Sequence, residues 1–194
     1  VIELPTDYPR PTTLTFEGAN HRFSLSGELS AQLRELSQRE QATIFVTMLA
    51  AFLALLRLYT SQDDLVIGAF SAHRDRPETQ HLIGLFANIM VMRVDLSGHP
   101  TFRDLLVRVR EVVMESSTYQ ALTYEQVLEA VQPKRSANRL PLIQVALNYF
   151  ADPMQGVEFK DLTMTLMDVD RGAARYDLVL DITDAGEEGI VGIF

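Results

Sequence analysis

Residues 42–68 read ATIFVTMLAAFLALLRLYTSQDDLVIG. From Ile44 to Leu58 only Thr47 and Arg57 interrupt the apolar run. A segment apolar nearly all round marks a helix buried on most sides, and Thr43 stands where its N-cap belongs. The run is shorter than the roughly 20 residues a bilayer span requires, which predicts a core helix instead. After the polar Ser61, Gln62, Asp63 and Asp64, the apolar residues 65–70 read as a strand buried on both faces. A central helix delivered straight into a buried strand predicts an α/β or α+β layered fold, a mixed β-sheet flanked by helices.

Upstream, Pro5, Pro9 and Pro11 lie among Thr and Asp. Proline fixes its own φ and lacks an amide donor, so residues 1–15 are expected to be an extended linker. Residues 21–26 alternate like a half-buried strand, and Ser30 is the expected N-cap of a first helix with Leu33 and Leu36 on one face. Downstream, residues 85–96 read as a strand. Thr101 and Asp104 have capping-box spacing, and Phe102, Leu105, Leu106, Val109, Val112 and Val113 follow at helical spacing as core. A shorter helix is expected over 124–131, then strands over 142–150, 157–169, 176–183 and 189–194. The start at Val1 without an initiator Met, and the apolar ending IVGIF, predict an excerpt from a longer protein.

The chain has 194 residues, 47% of them hydrophobic and 22% charged, the balance of an ordinary globular protein. With 17 Lys and Arg against 26 Asp and Glu, the net charge is −9. Dispersed basic residues in an acidic chain argue against nucleic acid, whose phosphates require clustered cations, and no membrane partner is expected. Cysteine is absent, which removes disulfides and thiolate chemistry and fits a cytoplasmic setting.

The usual catalytic signatures are missing. His21, His73, His81 and His99 form no H-E-x-x-H, and no metal is expected. His73 and His81 flank a polar stretch with Asp75 and Glu78, for which exposed loop histidines are the expected reading. There is no G-x-S-x-G elbow, no G-x-G-x-x-G and no Walker sequence.

Six blocks in fixed order resemble the later motifs of the condensation domains of nonribosomal peptide synthetases. They are ELPTDYPRP (3–11), the helix–turn–strand of 42–68 with Ser61 for the usual Gly, LIGLFANIMVMR (82–93), YQALTYEQ (119–126), RSANRLPLIQV (135–145) and ARYDLVLDI (174–182). The third follows Ile-Gly-x-Phe-x-Asn, with Ala87 and Ile89 in place of Val and Thr. The fourth keeps Gln120 and Glu125, with Tyr124 for Phe and Thr123 for Pro. The fifth keeps Arg135, Arg139, Pro141, Leu142, Gln144 and Val145. The family's catalytic His-His-x-x-x-Asp-Gly does not occur in the chain.

The resemblance implies the C-terminal lobe of a pseudodimer of two chloramphenicol acetyltransferase-like halves, with residues 1–15 as the inter-lobe linker and 16–194 as the lobe. It implies amide bond formation in a tunnel between the lobes, joining an acyl donor to an aminoacyl acceptor. Both ride on the phosphopantetheine arms of peptidyl carrier proteins, so no cofactor is expected on this chain itself. The expected partners are the N-terminal lobe, the carriers and neighbouring synthetase modules. The base is expected on the N-terminal lobe, which leaves this chain inert alone. Asn88, Gln144 and Arg74 are the tunnel candidates, Asn88 foremost, because an amide can bond an oxyanion or a pantetheine amide without a pKa shift. The competing reading has Asn88 and Gln144 satisfying nearby backbone. Gly84, Arg135, Arg139 and Pro141 are expected to hold motif loops, Gly84 by allowing a tight bend. Arg74 falls where the family carries Gly-Arg, here His73-Arg74. Alternatives are a carrier-docking lobe without catalysis, or an epimerization, cyclization or ester-forming relative. A trimeric coenzyme A-dependent acyltransferase would need a His-x-x-x-Asp near its C-terminus, which is absent.

Overall fold

In the computed structural model, which describes residues 1–74, 76–151, 160, 169–186 and 189–194, the apolar segment of residues 44–60 is the helix around which the chain is layered. The described elements run β1 (Arg22–Leu25), α1 (Gly27–Arg39), α2 (Ile44–Thr60), β2 (Asp64–Ser71), α3 (Pro77–Gln80), β3 (Asn88–Asp95), α4 (Phe102–Thr118), α5 (Tyr124–Val131), β4 (Val145–Ala151), β5 (Leu178–Asp184) and β6 (Ile190–Ile193). The strands form one mixed sheet in the order β1-β6-β5-β4-β2-β3. β4 is parallel to both β5 and β2, and the remaining pairings are antiparallel.

One face of this sheet carries the main core. Leu65 and Ile67 of β2, Met92 and Val94 of β3, Val145 and Leu147 of β4, Leu180 and Ile182 of β5 pack with Leu49, Phe52, Leu53 and Leu56 of α2 and Leu105, Leu106 and Val109 of α4. Each such aliphatic side chain removed from water contributes about 1.5–3 kcal/mol. Helix α2 is central, as its composition requires, but a stripe of Ala51, Leu55, Leu58 and Tyr59 remains exposed. Among the described residues, no single helix is long and apolar enough to cross a membrane.

Helix starts follow side-chain chemistry. Thr43 Oγ1 accepts from Val46 N–H, and Thr101 with Asp104 forms a reciprocal capping box. Thr123 with Gln126 forms a second box that opens α5, so the residue standing for the family's proline is a helix cap.

Several expectations need correction. Ser26, not Ser30, caps α1. Ser30 lies inside the helix, fully buried, where its Oγ accepts from Ile190 N–H at 3.0 Å. Tertiary contact with β6 overrides its capping propensity. Gly189 beside it sits at φ 107°, and a Cβ there would lie 2.5 Å from Leu25 O, so this approach demands glycine. Phe102 is 40% exposed rather than core; as the first residue of α4 it precedes the turn where the apolar stripe meets the sheet. β2 is not buried on both faces, since Phe70 stands 43% exposed on the side away from the helices. β3 begins at Asn88, not residue 85, because Leu82, Ile83 and Leu85 lie in a preceding loop. The strand expected over 157–169 falls almost wholly outside the described residues.

The Pro-rich residues 1–15 hold no helix or strand, yet they are docked along the body as a strap. Ile2 is 1% exposed.

Candidate functional site

The sheet face opposite the main core is only partly covered. Ile143 and Tyr176 pack on Ile89 and Ala146, with Val91, Tyr124, Leu140 and Val179 around them. The motif residues of interest fall into two groups, and by strand alternation Asn88 shares the face of Met90 and Met92, on the main-core side.

The first group surrounds the loop between α3 and β3. Arg74 donates to the carbonyls of Thr79, Leu82 (2.8 Å) and Gly84 (3.3 Å), and its guanidinium lies 4.5 Å from the Phe86 ring centroid. A planar fork can bond carbonyls and stack on a ring at once. Arg74 thereby fixes a loop whose Leu82, Ile83 and Leu85 point outward, Ile83 wholly so. Gly84 does not have the positive φ that only a glycine tolerates easily. Its need is spatial, because a Cβ would come 3.1 Å from the Phe86 ring. At the start of β3, Asn88 is half-buried, and its Nδ2 donates to Gln120 O (3.1 Å) and Leu122 O (2.7 Å). It ties the strand to the α4–α5 loop and leaves Oδ1 without a donor among the described residues.

The second group fastens the N-terminal strap. Gln144 is 2% exposed. Its Oε1 accepts Ile2 N–H at 3.2 Å and its Nε2 donates to Leu140 O at 2.8 Å, so neither end of the amide faces open space. Arg139 forms a two-pronged pair with Glu3, at 2.5 and 2.7 Å, which holds the Glu3 carboxyl below the ordinary range. Arg10 makes a similar fork with Asp177, at 2.9 and 2.5 Å. Pro141 O accepts from Tyr124 O–H and from Ile143 N–H (2.7 Å) across Leu142, at φ 65°. That three-residue turn swings the chain into β4. Arg135 is exposed and has no ion pair among the described residues. It lines a concavity with Glu125, Glu129 and Pro141.

Sequence reasoning did not single out Asn148 and Asp181. Both lie on the partly open face, since Asn148 pairs with Asp181 across β4 and β5. The available signal was the polar residue inside each of two apolar strand runs, VALNYF and LVLDI. The Arg10–Asp177 fork was also missed, because its partners are 167 residues apart.

No histidine hydrogen-bonds a carboxylate among the described residues, and His99 Nδ1 faces Arg57 Nη2 at 3.4 Å. Nor do three or more His, Asp or Glu side chains converge there in a way that could hold a metal. The groups presented are amides and fixed carboxylates, which bind and orient. They do not include a nucleophile paired with a base.

Among the described residues, a mixed six-stranded sheet with its main helices α2 and α4 on one face, and a second face only partly covered, is a chloramphenicol acetyltransferase-like half. The condensation domain family model matches residues 1–191, and the chain belongs to that family. It is 39% identical over 192 aligned positions to the malpinin synthetase of Mortierella alpina, covering 99% of this chain and 2% of that protein. Among solved structures it is similar to holo-AB3403, a four-domain nonribosomal peptide synthetase bound to AMP and glycine. The TM-score there is 0.90 at 25% identity, over 100% of this chain and 16% of that one. The fold is also that of the condensation domain of the Monacolin K polyketide synthase MokA, with a TM-score of 0.84 at 23% identity, over 98% of this chain and 44% of that one.

Proposed function

We propose that the chain is the C-terminal lobe of a condensation domain in a cytoplasmic nonribosomal peptide synthetase, where it forms one wall of the site of amide bond formation. The observation that carries this reading is the family match over residues 1–191 in a chain that spans only 44% of a comparable condensation domain chain. In this reading a second lobe supplies the base that takes the proton of the attacking amine. Acyl donor and aminoacyl acceptor arrive on phosphopantetheine arms of carrier proteins, so the arm is part of the substrate and not a resident cofactor. In this reading Asn88, whose Oδ1 accepts no hydrogen bond among the described residues, receives an amide N–H of such an arm. The strap brings the preceding chain to a fixed point beside β4.

The test compares this chain with a two-lobe protein that includes the preceding segment of its reading frame. Both are given an acylated donor carrier and an aminoacylated acceptor carrier, and product is detected by mass spectrometry. Amide product from the two-lobe protein alone is the expected result. Product from the 194-residue chain by itself would overturn the division of labour. Carrier binding without turnover in the two-lobe protein would favour a docking lobe instead.

A further inference from the structure

The parallel ladder between β2 and β4 is a single registered pair, Gly68 with Ala146. Two residues beyond that pair, Phe70 N–H donates to Asn148 Oδ1 at 3.3 Å. That bond fixes which way the Asn148 amide is turned. Its Nδ2 then points across to β5 and donates to Asp181 Oδ1 at 2.6 Å. Asn148 is 6% exposed and both its polar ends are engaged. Asp181 is half-buried, and its other oxygen accepts no hydrogen bond and forms no ion pair among the described residues.

The surroundings of that oxygen follow from the register. Phe150 lies two residues beyond Asn148 on the same face, opposite Thr183. Phe70 is set against Asn148 by its own N–H and meets Tyr176 edge-on at 6.4 Å. Phe70 and Phe150 are 43% and 47% exposed. A carboxylate oriented by a buried amide, with the exposed ring of Phe150 on its diagonal neighbour and that of Phe70 across β4, is complementary to a compact cation that carries apolar surface. An aromatic ring adds attraction for a cation that reaches its face, and partial burial strengthens the carboxylate's pull relative to water.

We propose that Asp181, held in place by Asn148, is the recognition point for the primary amine of an amino acid whose apolar side chain lies against Phe70 and Phe150. Assigning that amine to the acceptor substrate rests on the reading given above. The binding site itself does not. Asn148 is a positioning residue here, since it acts through Asp181.

The experiment titrates the isotopically labelled 194-residue chain with 2-phenylethylammonium and, as the uncharged counterpart, 2-phenylethanol, following the Asn148 side-chain amide by NMR. The expected result is binding of the ammonium in the millimolar range, about tenfold tighter than the alcohol. Asp181→Asn keeps an acceptor for Asn148 and removes the charge, so it should abolish the preference with an unchanged melting curve. Phe150→Ala, at an exposed ring, should weaken both probes together and gives an independent reading if Asp181→Asn does not fold. Equal affinity for the two probes, no response at Asn148, or an Asp181→Asn protein that still prefers the ammonium would overturn the proposal. In the two-lobe protein, Asp181→Asn should raise KM for the aminoacylated acceptor carrier and leave KM for the donor carrier alone. If the ammonium site is present but the two-lobe wild type makes no amide, it is the functional reading that has failed and not the site.

Discussion

Gln144 accepts the backbone N–H of Ile2, 142 positions away, inside the protein. The same side chain donates to Leu140 O, so one amide joins the first residues, the motif loop and the start of β4.

Gln144→Leu should therefore cost about 1–3 kcal/mol, the penalty of a buried N–H left without its acceptor. Urea unfolding gives the loss, and hydrogen exchange should show Ile2 N–H unprotected. Undiminished protection at Ile2 would refute this clasp.

The Asp184 carboxylate predicts how stability varies with pH. Burial raises its pKa, but bonds from Arg34 (2.5 Å), Gly186 N–H (3.1 Å) and Tyr149 (3.0 Å) outweigh that and hold it below the ordinary value. A lowered folded pKa gives stability that is complete above the unfolded value and lost as pH falls through the folded one. Tyr149 moves the other way, pushed up to about 12 by burial and then by its bond to Asp184. Its contribution is complete below the unfolded value of 10.0 and disappears as pH rises toward 12. Asp184→Asn should cost about 1–3 kcal/mol at neutral pH and flatten the acid limb of a melting-temperature profile. Tyr149→Phe should flatten the alkaline limb and, because it removes one of the bonds that lower the Asp184 pKa, soften the acid limb as well.

Arg74→Ala should release the loop it braces without unfolding the protein. Stability should fall by no more than about 1 kcal/mol, because the loop is exposed. Chymotryptic cleavage at Leu82, Leu85 and Phe86 should accelerate. Arg74→Lys should not restore resistance, since a single ammonium cannot reach the carbonyls and also stack on Phe86.

Two leucines of α2 should behave oppositely. Leu53 is fully buried and Leu58 is 80% exposed. Leu53→Ala should cost about 2–5 kcal/mol by leaving a cavity, whereas Leu58→Ala should stay within about 0.5 kcal/mol of wild type. Thermal or urea unfolding of the pair tests whether the layering of α2 is correct.

Much of the fold was legible because it is local. Thr43 and Thr101 each announce a helix within three residues, and the apolar run of α2 and the apolar period of α4 need no knowledge of the rest. Ser30 and Phe102 were misread for the complementary reason: a distant β6 amide claimed Ser30, and the end of α4 overhangs the sheet. The family pattern drew attention to Asn88 and Gln144, and its Gly-Arg pair to Arg74, but their hydrogen-bond partners are mostly backbone groups, to which sequence patterns are blind. Asn148 and Asp181 acquire meaning only once β4 and β5 are set side by side in parallel register.

The strap has a consequence in time. Its anchors, Arg139, Gln144 and Asp177, are made long after Ile2, Glu3 and Arg10, and β1 likewise waits for its neighbour β6. At about 5–20 residues per second, synthesis from Ile2 to Asp177 takes roughly 9–35 seconds. For that interval Ile2 and β1 exist without their seats. Within these residues the earliest segment is seated late, so completion of the sheet and closure of the strap together form a late, long-range step in folding.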